Sequence, residues 1–475
     1  MSKWSRVGSS YERPLGDSEY AFFPASQNGL GDMFLHLAFR GPEEAFHKER
    51  VKLGWGIIRQ RNPLLMCKVL MDGDDLNTAR FSFTPPSTPE DVLDEAGAAL
   101  HFKNESKDEL ISNYMNGPRT LSNDHLSYLV ISSSATSSET RSSGGVEYDL
   151  MMCAPHYTGD GTALHQSTHD LLCILTSTQT NEELRRELDG HRDWENVLPP
   201  AFETRLSTPS SAIRNAACKV NFLQTLGKEI GGHTFSRSQR GPQRTVLIEH
   251  AFSETQTANI LAKCKANKVT VNHALSVLCN VAWARCTSQS MQLPMMMYTA
   301  INLRPHLTNP APTHWFLALT YFNIVLPSFM PSSPAVFWHR ARLVKAQTHR
   351  TVYSPFLVSR ALQMASTRAS RARGLPQPPS PVEALAPPAP SAALLGLSLI
   401  GNLDRTYIRA SYPPSVQLHT VATASRMKPG GMLLLEHTFG SKLWLHLCWD
   451  EMGFEEGQVE RFWEALKGTV EEFLC

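Results

Sequence analysis

The stretch Cys153-Ala154-Pro155-His156-Tyr157-Thr158-Gly159-Asp160-Gly161-Thr162 collects residue types that move protons. His156 follows an apolar run that reads as a buried strand. Asp160 stands four positions later between two glycines, and a helical pattern begins at once. Imidazole titrates near pH ~6.5, so it can take and return a proton at neutral pH. Glycine admits turn geometries that other residues resist, and Asp160 and Thr162 suit a helix N-terminus. Such a turn holds His156 at a strand end, facing the space beyond. On its own the pattern is short. A capping aspartate with an incidental histidine satisfies the same ten residues.

The flanking elements are those needed to hold such a turn. Residues 125–133 read as a strand, the Ser/Thr/Gly-rich residues 134–145 as a hairpin loop, and 146–154 as the return strand. In 162–176, Leu164, Thr168, Leu171, Leu172 and Leu175 fall on one helical face. Upstream, 37–61 has helical spacing and stops at Asn62-Pro63, because proline disfavours helix in the residue before it. Leu64 to Leu70 follow as a strand. Residues 176–245 are proline-punctuated and read as a connection. Beyond it come strands at 244–249, 295–301, 317–326, 394–400 and 431–448, and helices at 254–267, 270–286, 334–350 and 455–473. Residues 366–393, rich in Arg, Ser, Ala and Pro, read as an exposed loop without helix. Strands and helices mixed throughout predict an α/β or α+β enzyme.

Bulk numbers remove other classes. With 45 basic and 44 acidic residues, the net charge of +1 offers no surplus for polyanions, so no nucleic-acid partner is expected. No apolar run approaches the ~20 residues of a membrane span, and Met1 to Arg6 lead into no apolar h-region, so no signal peptide is expected either. The nine cysteines form no Cys-x-x-Cys pair, and their odd number speaks against a disulfide framework. Reduced thiols and a cytoplasmic location are expected.

Five segments in order resemble the chloramphenicol-acetyltransferase-like superfamily, which includes BAHD acyltransferases, fungal trichothecene-type O-acetyltransferases, alcohol acetyltransferases and condensation domains. The first is Arg59-Gln60-Arg61-Asn62-Pro63-Leu64-Leu65, with Asn62 where the family usually has histidine. The His156 segment is second. Val269-Thr270-Val271-Asn272, Ala300-Ile301-Asn302-Leu303-Arg304-Pro305 and Ser398-Leu399-Ile400-Gly401-Asn402 follow. The resemblance spans nearly the whole chain.

It implies two lobes, each a mixed sheet flanked by helices, with a central tunnel between them. Residues 1–200 would form the first lobe, 201–245 the connection and 246–475 the second, with the proline-rich loop at 366–393. His156 would be the general base for acyl transfer from acyl-CoA, most simply acetyl-CoA, to a hydroxyl of a small apolar secondary metabolite. No metal and no covalent acyl-enzyme are implied, and a monomer is expected. Asp160 would point away from substrate and pair with Arg304, and Gly161 would let the backbone approach closely.

Two departures bear on the subtype. The late Asp-Phe-Gly-Trp-Gly segment of plant BAHD enzymes is missing from 437–450, which favours a fungal-type enzyme. Pro155 stands where condensation domains carry a second histidine. The alternatives are a free-standing condensation-type enzyme using a carrier-protein thioester, and a non-acyltransferase reusing the fold.

Other patterns carry bland readings. His165 and His169 are spaced i, i+4 but lack the glutamate of a zinc protease, so packing or surface roles are expected. Ile230 to Phe235 resembles a carrier attachment loop with Thr234 in place of serine. Gly396-x-Ser398-x-Ile400 misses the nucleophile elbow by one residue. Met295, Met296 and Met297 read as core filler.

Overall fold

A computed structural model describes residues 3–133, 145–190, 192–207, 211–226, 232–287, 293–308, 313–331, 333–376 and 393–475. The expected serine-rich loop at 134–144 and the proline-rich run 377–392 lie outside the described residues.

The strands are β1 (Ser5–Val7), β2 (Ser10–Pro14), β3 (Asp32–Gly41), β4 (Lys68–Asp72), β5 (Asp75–Phe83), β6 (Leu100–Lys103), β7 (Tyr128–Ser132), β8 (Val146–Pro155), β9 (Thr245–Ala251), β10 (Pro294–Asn302), β11 (Leu319–Pro327), β12 (Gly396–Asn402), β13 (Gln417–Ser425), β14 (Met432–Phe439) and β15 (Lys442–Asp450). They build two mixed sheets, one of five strands ordered β13-β3-β8-β7-β6 and one of six ordered β11-β10-β12-β14-β15-β9. A four-stranded antiparallel sheet, β1-β2-β5-β4, is added at the N-terminal side. Helices flank the larger sheets, giving the two-lobed α/β architecture. One strand from the last quarter of the chain, β13, pairs with β3 from Gln417↔Arg40 to Ser425↔Met33 and so completes the first lobe's sheet.

The lobes meet through side chains of both large sheets. Phe34, Met151, Cys153 and Ala424 of the first pack with Leu435 and Cys448 of the second in one buried cluster. Burying this apolar surface on both sides makes the two sheets a continuous interior.

Three sequence expectations are corrected. Residues 37–61 are not one helix. β3 occupies the beginning, and the helix is Lys48–Arg61. Leu35, Leu37 and Phe39 face the first lobe's main core while Phe34 faces the inter-lobe cluster. A strand buried on both faces loses its alternation and imitates a helix. The strand expected at 64–70 starts at Lys68, because Pro63–Met66 form a 3-10 turn. The segment 366–393 does hold helix, since Leu357–Ala372 is helical. Ala361, Ala365 and Ala369 form a buried stripe at i, i+4 spacing, and alanine and arginine are strong helix formers. The apolar run at 431–448 is the hairpin β14–β15, turned at Gly440 and Ser441, both with positive φ.

Candidate active site

The turn between β8 and the helix Gly161–Leu175 presents His156. β8 is clamped by β3 on one side and β7 on the other, and its last residue, Pro155, lies opposite Asp32. The chain then reverses. The Thr158 amide and hydroxyl both donate to the Pro155 carbonyl, at 3.0 and 2.9 Å. The His156 amide donates to the Gly31 carbonyl at 3.1 Å. Asp32, itself 1% exposed, receives a bidentate grip from Arg119 at 2.7 and 3.1 Å. A buried charge is tolerated in such a pair, and here it fixes the start of β3 beside the turn.

The imidazole is held in one tautomer. Nδ1 lies 3.0 Å from the Gly159 carbonyl oxygen. A carbonyl only accepts, so Nδ1 carries the proton and Nε2 keeps its lone pair. The ring stacks on Phe22, centroids 4.7 Å apart and planes 15° from parallel. Burial pushes His156 below its ordinary 6.5; its hydrogen bonds and the Asp160 charge oppose this, and the Arg368 charge adds to it. The neutral, proton-accepting form is therefore the resting state near pH 7.

Asp160 faces away from that ring. One carboxylate oxygen caps the helix by accepting from the Ala163 amide at 3.2 Å. The other accepts from Arg304 Nη1 at 2.7 Å and from the Ala318 amide at 3.0 Å. Arg304 spends Nη2 on the carbonyls of His314 and Phe316, at 3.1 and 2.7 Å, and lies over the Phe316 ring at 4.7 Å. Asp160 thus joins the His156 turn to the strand end and loop of the other half of the chain. It does not orient the imidazole.

The close approach expected at Gly161 belongs to Gly159. A Cβ on Gly159 would lie 3.0 Å from Trp315 Nε1, whereas one on Gly161 would meet nothing nearer than Ile400 Cδ1 at 3.9 Å. Neither glycine has positive φ, so space and not left-handed backbone selects glycine at 159.

Several site residues have no sequence signal of their own. Asn62 is buried and accepts from the Thr313 hydroxyl at 2.6 Å. That hydroxyl oxygen in turn accepts from the Trp315 amide at 3.2 Å. Asn62 therefore anchors the loop that packs on Gly159 and ligates Arg304. Phe22 and Arg368 reach the site from distant segments. The Asn62 departure was the one visible pointer to this network.

The decoys resolve into packing. His165 Nδ1 pairs with the Tyr407 hydroxyl at 3.1 Å and His169 Nδ1 with that of Tyr412 at 2.5 Å. Among the described residues no cluster of three or more His, Cys, Asp or Glu side chains is arranged for a metal. Thr234 donates to the Phe235 carbonyl, and Ser398 sits within β12. Met295 and Met297 are buried in the second lobe's core. No described helix is long and apolar enough to cross a membrane.

No protein-family model matches this chain, and no curated protein matches it by sequence. Solved structures do. The chain is similar to the TRI3 trichothecene 15-O-acetyltransferase of Fusarium sporotrichioides, with 14% identity over 100% of this chain and 98% of that one, and a TM-score of 0.81. It is similar to the condensation domain of the Monacolin K polyketide synthase MokA, with 11% identity over 99% and 98% of the two chains and a TM-score of 0.63. The epimerization domain from the third module of tyrocidine synthetase B follows at 12% identity, 98% and 97% coverage, and a TM-score of 0.58. These likenesses show the fold, which this chain shares with that acetyltransferase and with the condensation and epimerization domains.

Proposed function

We propose that this chain is an acyltransferase that moves an acyl group from a thioester to a hydroxyl of a small, largely apolar molecule. His156 is the general base, and acyl-CoA, most simply acetyl-CoA, is the donor. The observation that carries the reading is the fixed tautomer, in which Gly159 O holds Nδ1–H at 3.0 Å and leaves Nε2 as a proton acceptor. The likeness to TRI3, named as an O-acetyltransferase, supports it.

The chemistry follows from that atom. Nε2 takes the acceptor hydroxyl proton as its oxygen attacks the thioester carbonyl. The tetrahedral intermediate collapses, the C–S bond breaks, and the imidazolium returns its proton to the leaving thiolate. No acyl-enzyme forms. A Ser-His-Asp relay is not used, because the Asp160 carboxylate is committed to Arg304 and Ala318.

The test is product analysis by mass spectrometry. Acetyl-CoA and an acetylated carrier protein are each offered with a panel of small alcohols, to wild type and His156→Ala. Ester formation by wild type alone is expected, and the donor that is consumed separates a CoA-dependent enzyme from a condensation-type one. Equal turnover by both proteins would remove His156 as the base.

A further inference from the structure

Net charge conceals a strong asymmetry. Residues 255–382 contain 13 Lys and Arg and no Asp or Glu. One of these cations, Arg368, reaches the site. Its guanidinium lies 4.7 Å from the centroid of the Phe22 ring and 4.6 Å from that of Tyr321. Phe22 is the ring stacked on His156, also at 4.7 Å. Two steps of 4.7 Å place the guanidinium no more than about 9.4 Å from the imidazole.

Aromatic stacking holds the flat faces of a guanidinium and leaves its edge N–H donors free. Among the described residues no carboxylate takes them. The acids of the facing helix Asp17–Tyr20 are already engaged, Asp17 with Arg373 at 3.6 Å and Glu19 with Arg13 at 2.8 Å. Arg368 also borders a narrow cleft, with room for about one water, beside Phe22, Leu317, Leu319, Met364 and Ser18. A half-buried guanidinium in that setting is a site for an oxyanion.

The distance favours an oxyanion carried near the reacting atoms. In a pantetheine thioester the phosphate lies some fourteen bonds from the carbonyl, roughly 16 Å when extended. With the thioester carbonyl at His156, an extended arm carries its phosphate well past Arg368, and only a folded arm brings it back. We propose that Arg368 binds a carboxylate, or an equivalent oxyanion, carried close to the reacting atoms: an apolar substrate with one acidic group. This rests on the acyl-transfer reading of His156. The carboxylate can belong to the acceptor, as in a hydroxy acid, or to the acyl group, as in a dicarboxylic thioester.

The experiment has two arms on the full chain, with wild type, Arg368→Gln and, as a charge-matched control, Arg371→Gln at an exposed position of the same helix. One arm measures binding of 3-hydroxy acids of six to twelve carbons and of their methyl esters by calorimetry. The other compares binding of succinyl-CoA and acetyl-CoA. The expected result is at least a tenfold preference for the acid in one arm, lost in Arg368→Gln and kept in Arg371→Gln. A preference in the first arm assigns the carboxylate to the acceptor, in the second to the acyl group. No preference in either arm, or one that survives in Arg368→Gln, overturns the proposal. An Arg368-dependent preference without thioester consumption leaves this subsite standing and removes acyl transfer. Thioester consumption through His156 without a charge preference does the reverse.

Discussion

Arg304 Nη1 meets Asp160 Oδ2 at 2.7 Å across 144 positions of the chain. The contact ties the loop that presents His156 to the strand end after β10, so the placement of His156 and one of the links between the two halves rest on this ion pair. Removing one partner of a buried pair costs about 3–5 kcal/mol, because the other charge is left uncompensated. The Arg304 side chain is 16% exposed and Asp160 5%. Arg304→Met should therefore cost about 3 kcal/mol, the low end of that range, and lower the urea midpoint together with turnover. An unchanged midpoint would show that the tie carries no stability.

His156 must be neutral to act, and burial holds it below its ordinary 6.5. kcat/KM should be flat near neutrality and fall as pH drops through a value below 6.5. His156→Gln should lose about 10²- to 10⁴-fold in rate while keeping the wild-type melting temperature. An acid limb centred above 6.5 would contradict the geometry.

The two glycines of the turn should respond differently. Gly159→Ala forces a methyl to within 3.0 Å of Trp315 Nε1, and overpacking of this kind costs about 1–3 kcal/mol. Gly161→Ala opens the helix with a better helix former in ordinary contact with Ile400, so stability should hold or rise by up to about 1 kcal/mol. Denaturant titration of the two variants checks the contrast. Equal losses would place the close approach elsewhere.

Three buried histidines predict acid sensitivity. Burial pushes His165 and His446 down to about 3 and His437 well below 6.5. The unfolded chain takes up protons near 6.5 and the folded chain does not, so the stabilisation present above pH 6.5 is lost as pH falls toward about 3. Each histidine contributes roughly 1.4 kcal/mol per pH unit in that window. Glu436, pushed up to about 7 by burial, acts with the opposite sign between 4.5 and 7 and offsets one of them. The contribution of these groups should therefore slope downward as pH drops from 7.5 to 5. Replacing His437 by Phe and His446 by Leu should flatten it, read as unfolding midpoints at pH 7.5 and 5.

Much of the site was legible because it is local. A strand, a two-glycine turn and a capped helix are contiguous in sequence, so residue types at 153–162 specify where His156 stands. The amphipathic helix at 161–175 was likewise visible, because its apolar period is intact, and β9 to β12 stood out as short runs rich in apolar residues. β3 was not, because a strand buried on both faces has no period to read. The helix 357–372 was hidden by the proline-rich composition that follows it.

By itself the sequence determined the turn that presents His156, the helix capped by Asp160 and the order of the flanking segments, since these depend on neighbours along the chain. Only the tertiary structure decided what surrounds them. It assigned the close approach to Gly159 instead of Gly161, brought Asn62 to Thr313, laid Phe22 on His156 and left Arg368 stacked beside it without a carboxylate among the described residues. Each of these contacts joins segments far apart in the chain. Such pairings are set by how the sheets and helices pack in space, and no local pattern of residues encodes them.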